Sequence, residues 1–142
     1  MTRTFVAKVT IEINADSATV WKWLTTPELI KQYFFGTQTE TDWKKGSPIF
    51  FRGEWEGKKY EDKGTILDIQ SEKFVKYNYW SSMSGTPDIP ENYATIVYEL
   101  TAKGNTTILS IMQDGIKTEE SKTHSEQNWN AVMGGMKKMV EQ

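Results

Sequence analysis

Cysteine is absent from this 142-residue sequence, and histidine occurs only once. The lack of cysteine excludes disulfides, thiolate zinc sites and cysteine nucleophiles. Because His124 is the single histidine, a metal site built from several histidines is excluded as well. Its position away from the apolar stripe of the last helix predicts a solvated surface side chain. We therefore expect no metal ion in this protein.

Basic charge and long apolar runs are also scarce. The formal net charge is -2, which provides no basic field to attract nucleic acid or anionic lipid. No apolar run approaches membrane-spanning length, and the first residues lead into an alternating segment without a secretory signal. We expect a cytoplasmic protein that binds no nucleic acid and has no membrane span. Its length predicts a single domain over residues 1–142.

Common catalytic motifs are missing. The sequence has no glycine-rich phosphate loop, no nucleophile elbow and no Ser-His-Asp order. The pair Gly134-Gly135 stands alone inside a helical segment. An enzyme also needs a positioned acid or base, and tyrosines are the only convincing inward polar candidates. The sequence predicts no cofactor and no catalytic residue, and it favours a binding protein over an enzyme.

Aromatic residues, by contrast, are abundant. Six Trp, six Tyr and six Phe make up 13% of the chain. Such a content fits either an aromatic-rich core or an aromatic-lined pocket. Composition alone does not separate these two interpretations.

The last segment, residues 119–142, carries the clearest pattern. Two alternative starts precede it: Thr118 with two glutamates after it, or Thr123 with Glu126 as a capping box. A helix of about twenty residues is about 30 Å long and needs a surface of similar length to cover its apolar side. An apolar stripe at helical period predicts such a helix, and we expect its first residue, Trp129, to be a buried anchor. The stripe consists of Trp129, Val132, Met133, Met136, Met139 and Val140.

Upstream, the pattern predicts one strand, two short helices and six more strands. Residues 5–13 alternate as a strand, Asp16 caps a helix over 17–24, and Thr26-Pro27 starts a second helix that Gly36 ends. Short turns between the later strands imply an antiparallel meander. The order predicts an α+β fold, a curved antiparallel sheet of six or seven strands around the last helix. The six later strands are expected at 37–43, 49–55, 60–69, 74–80, 93–100 and 106–113.

Two irregular places stand out among these strands. Gly64 lies inside a strand and indicates a bulge or a bend. Residues 81–92 carry Gly85, Pro87 and Pro90 and fit neither strand nor helix. We expect this segment to be a mobile loop at one mouth of a cavity, because long loops of this kind often act as lids.

Several local patterns, in this order along the whole chain, resemble the helix-grip START/SRPBCC superfamily, which includes birch-pollen-allergen-like proteins. Within it, the sequence is most similar to the heat-shock-protein-90 ATPase activator homologue family. The segments that carry the resemblance are ADSATVW (15–21), TTPEL (25–29), DWKKGS (42–47), KGTILDI (63–69), KYNYW (76–80) and Asn128-Trp129 with Met133, Met136 and Val140.

The resemblance implies three alternative functions. The first is a binding protein that holds a small hydrophobic or amphipathic molecule between the sheet and the last helix. The second is a stress-response interaction domain that assists a chaperone ATPase. The third is an enzyme of the polyketide cyclase or aromatase type. A small hydrophobic molecule and a chaperone are thus the expected partners, and the chain is expected to be a monomer or a homodimer.

Aromatic walls with adaptable methionines make a tolerant apolar cavity. Each such residue alone is more often core than pocket, but together, in a fold that resembles ligand pockets, they predict a cavity. The candidate ligand-binding residues are Tyr33, Phe34, Phe51, Trp55, Tyr77, Tyr79, Tyr98, Trp129, Met133 and Met136.

Charged residues in the middle strands allow two interpretations. Arg52 and Glu54 share one strand face, and Glu61 and Lys63 lie across the turn from them. A solvated cross-strand ladder is favoured over a polar anchor inside a pocket. The same alternatives apply to Asp62 and Asp68, with the solvated one again favoured.

Overall fold

The computed structural model describes residues 5–82 and 85–142, apart from the side chain of Trp55. It confirms the predicted α+β helix-grip class, with seven antiparallel strands, two short helices after the first strand and a long last helix. The strands are β1 Phe5–Ile13, β2 Gln38–Glu40, β3 Pro48–Trp55, β4 Lys58–Gln70, β5 Phe74–Tyr79, β6 Ala94–Lys103 and β7 Thr106–Ile116. The helices are α1 Ser17–Thr25, α2 Pro27–Tyr33 and α3 Glu119–Val140, with a 3₁₀ turn at Pro90–Asn92.

The sheet is a single open layer with the order β1-β7-β6-β5-β4-β3-β2. The strands from β2 to β7 follow one another as a meander, and β1 joins at the far edge by pairing with β7. Val9 lies opposite Ile111, and Tyr98 lies opposite Ile111 on the other side of β7. The period of two therefore brings apolar side chains of neighbouring strands to one face.

The ends of the helices follow local capping chemistry. Asp16 accepts a hydrogen bond from the Thr19 backbone N–H at 2.8 Å, which confirms it as the cap of α1. Thr26 precedes Pro27 as expected, but its side chain makes no capping hydrogen bond. The Thr26 hydroxyl, expected to cap α2, therefore does not do so, and the Leu29 backbone N–H donates instead to the Thr26 backbone carbonyl at 2.9 Å.

The start of α3 is the earlier of the two alternatives. Thr118 accepts a hydrogen bond from the Ser121 backbone N–H at 3.0 Å. The capping box at Thr123 and Glu126 is wrong, since both residues lie inside the helix. The Glu126 side chain instead accepts a hydrogen bond from the Lys8 backbone N–H at 3.0 Å.

The last helix packs along the edge strand β1. Besides Glu126, Glu141 accepts a hydrogen bond from the Asn14 backbone N–H at 2.7 Å, and the Lys137 ammonium donates to the Glu12 carbonyl at 2.9 Å. An exposed sheet edge presents unpaired backbone groups to other chains. The polar side of α3 therefore occupies part of this edge while its apolar side covers the sheet.

A continuous core lies between the inner face of the sheet and the three helices. Met133, Met136 and Val132 of α3 are completely or almost completely buried, as the stripe predicted. Ile66 and Leu109 of the sheet and Leu24 of α1 are also fully buried. Each such side chain contributes roughly 1.5–3 kcal/mol of transfer free energy on burial.

Gly64 does not mark a bulge. It pairs regularly with Ile49, and the irregular register of β4 lies further on, between Ile66 and Asp68. A side-chain Cβ at Gly64 would come within 1.7 Å of the Asn78 carbonyl oxygen. The position therefore needs glycine because the backbone of β5 approaches it closely.

None of the described helices is both long enough and apolar enough to cross a membrane.

Candidate functional site

An open cavity of about 610 Å³ lies between the inner face of the sheet and α3. Strands β3 to β7 form one wall, the first half of α3 forms another, and the segment after α2 closes one side. Phe35, in this segment, is 62% exposed. The aromatic residues that line the cavity are Phe34, Phe35, Phe51, Tyr60, Tyr77, Tyr79 and Trp129.

These rings contact one another in a connected series. Trp129 packs edge-to-face against Phe34 at 6.0 Å and against Tyr98 at 5.8 Å between ring centroids. Phe51 lies 5.8 Å from Tyr77 and 5.9 Å from Tyr79. The Phe51–Tyr77 pair is tilted and the other three are edge-to-face, and such contacts in this distance range are favourable. The cavity wall is therefore preorganised on both its sheet side and its helix side.

One carboxyl group lies inside this aromatic wall. Asp62 lines the cavity and is 7% exposed. Its Oδ2 accepts a hydrogen bond from the Tyr79 hydroxyl at 2.7 Å, and its Oδ1 accepts one from the Ser82 backbone N–H at 3.2 Å. Burial, and then the nearby Asp62, raise the pKa of Tyr79 well above its ordinary value. Tyr79 consequently remains a neutral hydrogen-bond donor to Asp62.

The deeper tyrosines are also held neutral. The hydroxyl oxygens of Tyr77 and Tyr98 lie 2.9 Å apart in a hydrogen bond, and the Tyr33 hydroxyl donates to the Trp23 carbonyl at 3.0 Å. Burial raises the pKa of all three phenols. A phenol in this state donates or accepts a hydrogen bond but does not act as a base near neutral pH.

Further polar groups border the cavity on other sides. Thr37 and Tyr60 share a hydrogen bond of 2.7 Å, and the Trp129 indole donates to Gln113 at 2.9 Å. The remaining polar lining residues lie on β3 and α3 and are Glu54, His124, Ser125 and Asn128.

The predicted site residues occupy three different environments. Phe34, Phe51, Tyr77, Tyr79 and Trp129 line the cavity. Tyr33 and Tyr98 instead line a small adjoining void of about 20 Å³, which Phe34, Phe51 and Tyr77 also border. Met133 and Met136 have no exposed surface and pack within the core, so they border neither space. The side chain of Trp55 lies outside the described part of the structure.

Sequence reasoning missed part of the wall. Asp62 was expected to be solvated and is instead buried in the cavity, so tyrosines are not the only inward polar residues. Asp62 alternates with Tyr60, Gly64 and the fully buried Ile66, and this shared strand face was a signal that its side chain is buried. Ser125, one helical turn before Trp129, had the same kind of signal. The other lining residues that were missed are Phe35, Thr37, Glu54, Tyr60, Ile96, Gln113, His124 and Asn128.

His124 is exposed, as predicted, and it also borders the cavity. Asp68 is exposed and accepts a hydrogen bond from its neighbour Ile69. Arg52 forms ion pairs of 2.7 Å with Glu61 and with Glu40, which is the cross-strand arrangement expected for a solvated ladder.

Lys63 forms its ion pair with Asp88 in the long loop and not with a residue of the neighbouring strand β3. Asp88 also accepts a hydrogen bond from the Tyr93 hydroxyl. None of the described loop residues 85–92 lines the cavity. The expected position of this loop at the cavity mouth is therefore not seen for these residues, while the mobility of the loop remains a prediction.

Comparisons with known proteins agree with the fold. The family model described as "Activator of Hsp90 ATPase homolog 1-like protein" matches residues 14–141. The solution structure of ChR145 from Cytophaga hutchinsonii is 44% identical in sequence, with a TM-score of 0.86 over 96% of this chain and 94% of that protein. A search of curated protein sequences finds no significant match to this chain.

More distant structures share the fold alone. MLL2253 from Mesorhizobium loti is 17% identical, with a TM-score of 0.76 over 98% of this chain and 97% of that protein. DynU16, described as a protein in the dynemicin biosynthetic locus, is 14% identical, with a TM-score of 0.77 over 96% of this chain and 47% of that protein.

Proposed function

The chain belongs to the family of activator of Hsp90 ATPase homolog 1-like proteins, and from that premise we propose that it binds a small hydrophobic or amphipathic molecule in the aromatic cavity. The observation that carries this proposal is the open space of about 610 Å³ between sheet and α3. Ligand pockets in proteins have roughly 300–1,000 Å³, apolar or aromatic walls and a few placed polar groups. The cavity has all three properties.

The size and chemistry of the wall favour a ligand of one or two rings or a short chain. Phe34, Phe51 and Trp129 provide apolar contact from three sides. Gln113 and Tyr60 already hydrogen-bond to protein partners, so they orient the wall. Binding would be driven mainly by removal of apolar surface from water.

A substitution that fills the cavity tests the proposal. Ser125 lines the cavity from α3, whereas Gln127 lies on the same helix, is exposed and does not line it. We expect Ser125→Trp to abolish binding of the fluorescent probe N-phenylnaphthylamine, because the indole occupies the space. Gln127→Trp is the matched control and should bind the probe as the unchanged protein does.

The outcome is read by titration of probe fluorescence and by the rise in melting temperature with probe concentration, since a ligand that binds only the native state stabilises it. Equal binding by Ser125→Trp and the control would contradict the proposal. Absence of binding by the unchanged protein would contradict it as well.

A second candidate is an interaction with a chaperone ATPase in a stress response, and family membership is the observation that favours it. This function predicts that adding the chain raises the ATPase rate of Hsp90, with or without an occupied cavity. Ser125→Trp separates the two candidates, because it removes probe binding without changing the outer surfaces of the sheet.

A third candidate is an enzyme of the polyketide cyclase or aromatase type. The buried Asp62 beside Tyr79 is the observation that favours it, since such chemistry requires an acid or base inside the pocket. Turnover of a polyketide substrate that Asp62→Asn abolishes would support this candidate. A cytoplasmic location, a single domain over residues 1–142 and a monomeric or homodimeric state remain predictions from the sequence.

A further inference from the structure

We infer that the cavity selects an organic cation, an amphipathic amine whose ammonium group lies at Asp62 and whose apolar body lies against the rings. This inference rests on the proposed function and specifies its ligand class. Three observations carry it: the charge of the wall, the free capacity of the Asp62 carboxylate, and the rings that surround this carboxylate.

The charge of the wall has one dominant sign. Two carboxylates border the cavity, Asp62 on β4 and Glu54 on β3. On α3, His124 is the one described lining residue whose side chain can become positively charged. Among the described lining residues there is no lysine or arginine. A site lined in this way attracts a cation and repels an anion of the same shape.

The carboxylate of Asp62 has no cationic partner in the described part of the chain. It is 7% exposed, and none of the ion pairs between described residues includes it. It accepts hydrogen bonds from the neutral Tyr79 hydroxyl and from the Ser82 backbone N–H. A carboxylate offers about four lone-pair sites, so further donors from a ligand can be accommodated.

The surroundings of Asp62 suit an ammonium group rather than a second neutral donor. Phe51 is its cross-strand partner, and Tyr79 both donates to it and packs 5.9 Å from Phe51. Aromatic ring faces attract cations electrostatically, and most strongly where water is excluded. For an alkylammonium, the carboxylate of Asp62 therefore supplies the ion pair, and the rings beside it supply cation–π contacts.

A bound metal ion is a poor alternative. No group of three or more histidine, aspartate or glutamate side chains placed to hold a metal occurs within the described residues. Hard cations require several oxygen ligands. An organic cation needs only one carboxylate, and its remaining surface is covered by apolar walls.

Three probes with the same aromatic body but different charge test the inference: naphthylethylamine, naphthylethanol and naphthylacetate. At neutral pH they are cationic, neutral and anionic. Calorimetric titration of the unchanged protein should give the tightest binding for the amine, weaker binding for the alcohol and the weakest for the acid.

Asp62→Asn should reduce amine affinity about ten- to hundredfold, the range for loss of one charged hydrogen bond. Its affinity for the alcohol should change by less than about threefold, since the apolar contacts remain. The matched control is Asp68→Asn, the same chemical change on the same strand at an exposed position outside the cavity. It should bind all three probes as the unchanged protein does.

Equal affinity of the unchanged protein for amine and alcohol would overturn the inference and leave the proposed function standing, because the apolar body would still bind. Equal loss of amine and alcohol affinity in Asp62→Asn would also overturn it. Failure of all three probes to bind the unchanged protein would overturn the proposed function and the inference together. If Asp62→Asn does not fold, the order of the probes on the unchanged protein decides alone.

Discussion

The indole Nε1 of Trp129 donates a hydrogen bond to Oε1 of Gln113 across 2.9 Å and thereby joins α3 to β7. Buried tryptophan usually needs such a partner for its N–H. Both residues line the cavity. One residue pair therefore serves as an anchor for the last helix and as a part of the candidate binding surface.

Trp129→Ala should lower the free energy of unfolding by about 3–5 kcal/mol, the usual range for removal of a large buried aromatic side chain. Urea denaturation followed by circular dichroism measures this loss. Asn130→Ala, at the next and exposed position, is the control and should change stability by less than about 0.5 kcal/mol. A loss below about 1 kcal/mol for Trp129→Ala would show that α3 is not held at this point.

Alkaline pH should unfold the protein through its buried tyrosines. Burial raises the pKa of Tyr33, Tyr77, Tyr79 and Tyr98 in the folded state, whereas in the unfolded chain they titrate near the ordinary value of about 10. Above that pH the unfolded state binds fewer protons than the folded state, so stability falls as pH rises and is unaffected below it.

The expected slope is about 1.4 kcal/mol per pH unit for each buried tyrosine that titrates only on unfolding. Urea midpoints across the alkaline range, together with tyrosinate absorbance, measure it. Tyr98→Phe should reduce the slope by the amount that one buried tyrosine contributes. A slope that is unchanged in this variant would show that Tyr98 titrates in the folded protein.

Local patterns in the sequence were sufficient to predict the fold. The period-two alternation of residues 5–13 and the stripe that begins at Trp129 both match the observed elements, because each reports directly which side of the element is buried. The start of α3 was left open between Thr118 and Thr123, since both offer a hydroxyl followed by acidic residues. The hydrogen bond from the Ser121 N–H to Thr118 identifies the earlier start, and Glu126 instead accepts from the Lys8 N–H of β1.

The wall of the cavity was less predictable. Asp62 alternates with the buried Ile66, but the exposed Asp68 continues the same alternation, so the pattern alone does not decide between burial and solvation. The partners of Asp62, Tyr79 and the loop residue Ser82, are 17 and 20 positions away. Met133 and Met136 lie on the buried face of α3, as the stripe predicts, but their side chains are fully enclosed in the core and do not border the cavity. A helical stripe identifies the buried side without showing where the space beside it remains open.

The two possible caps of α3 give a matched pair of substitutions. Thr118→Ala should cost about 1 kcal/mol, because the Ser121 N–H loses its hydrogen-bond acceptor. Thr123→Ala should change stability by less than about 0.5 kcal/mol or stabilise slightly, since alanine is the better helix former at an interior, exposed position. Thermal melts of both variants measure the difference, and the reverse order would place the start of the helix at Thr123.

Gly64→Ala should destabilise the protein by about 1–3 kcal/mol, the range for overpacking a site that is already filled. The new Cβ would lie 1.7 Å from the Asn78 carbonyl oxygen, so β4 and β5 must separate locally. The hydrogen bonds between Lys63 and Trp80, of 3.0 and 2.8 Å, lie at this place. Their amides should exchange faster in the variant, and unchanged exchange would contradict the close approach.

The adjacent glycines of α3 should behave in the opposite way. A Cβ at Gly134 or Gly135 meets no other group within 4 Å beyond the helix itself. Replacing both with alanine should therefore raise the free energy of unfolding, by up to about 2 kcal/mol, because alanine has the higher helix propensity at each position. Chemical denaturation measures the gain, and Gly64→Ala is the control in which the same substitution must be destabilising.

Three interpretations of this glycine pair give different results for the double variant. Higher stability with unchanged probe binding and unchanged mass in solution supports neutral positions, which agrees with the open space around both Cβ sites. Loss of dimer mass would instead show that the glycines allow close approach of a second copy. Higher stability with weaker probe binding would show that the helix must bend there around a ligand. A less stable, monomeric double variant would contradict the open surroundings of both residues.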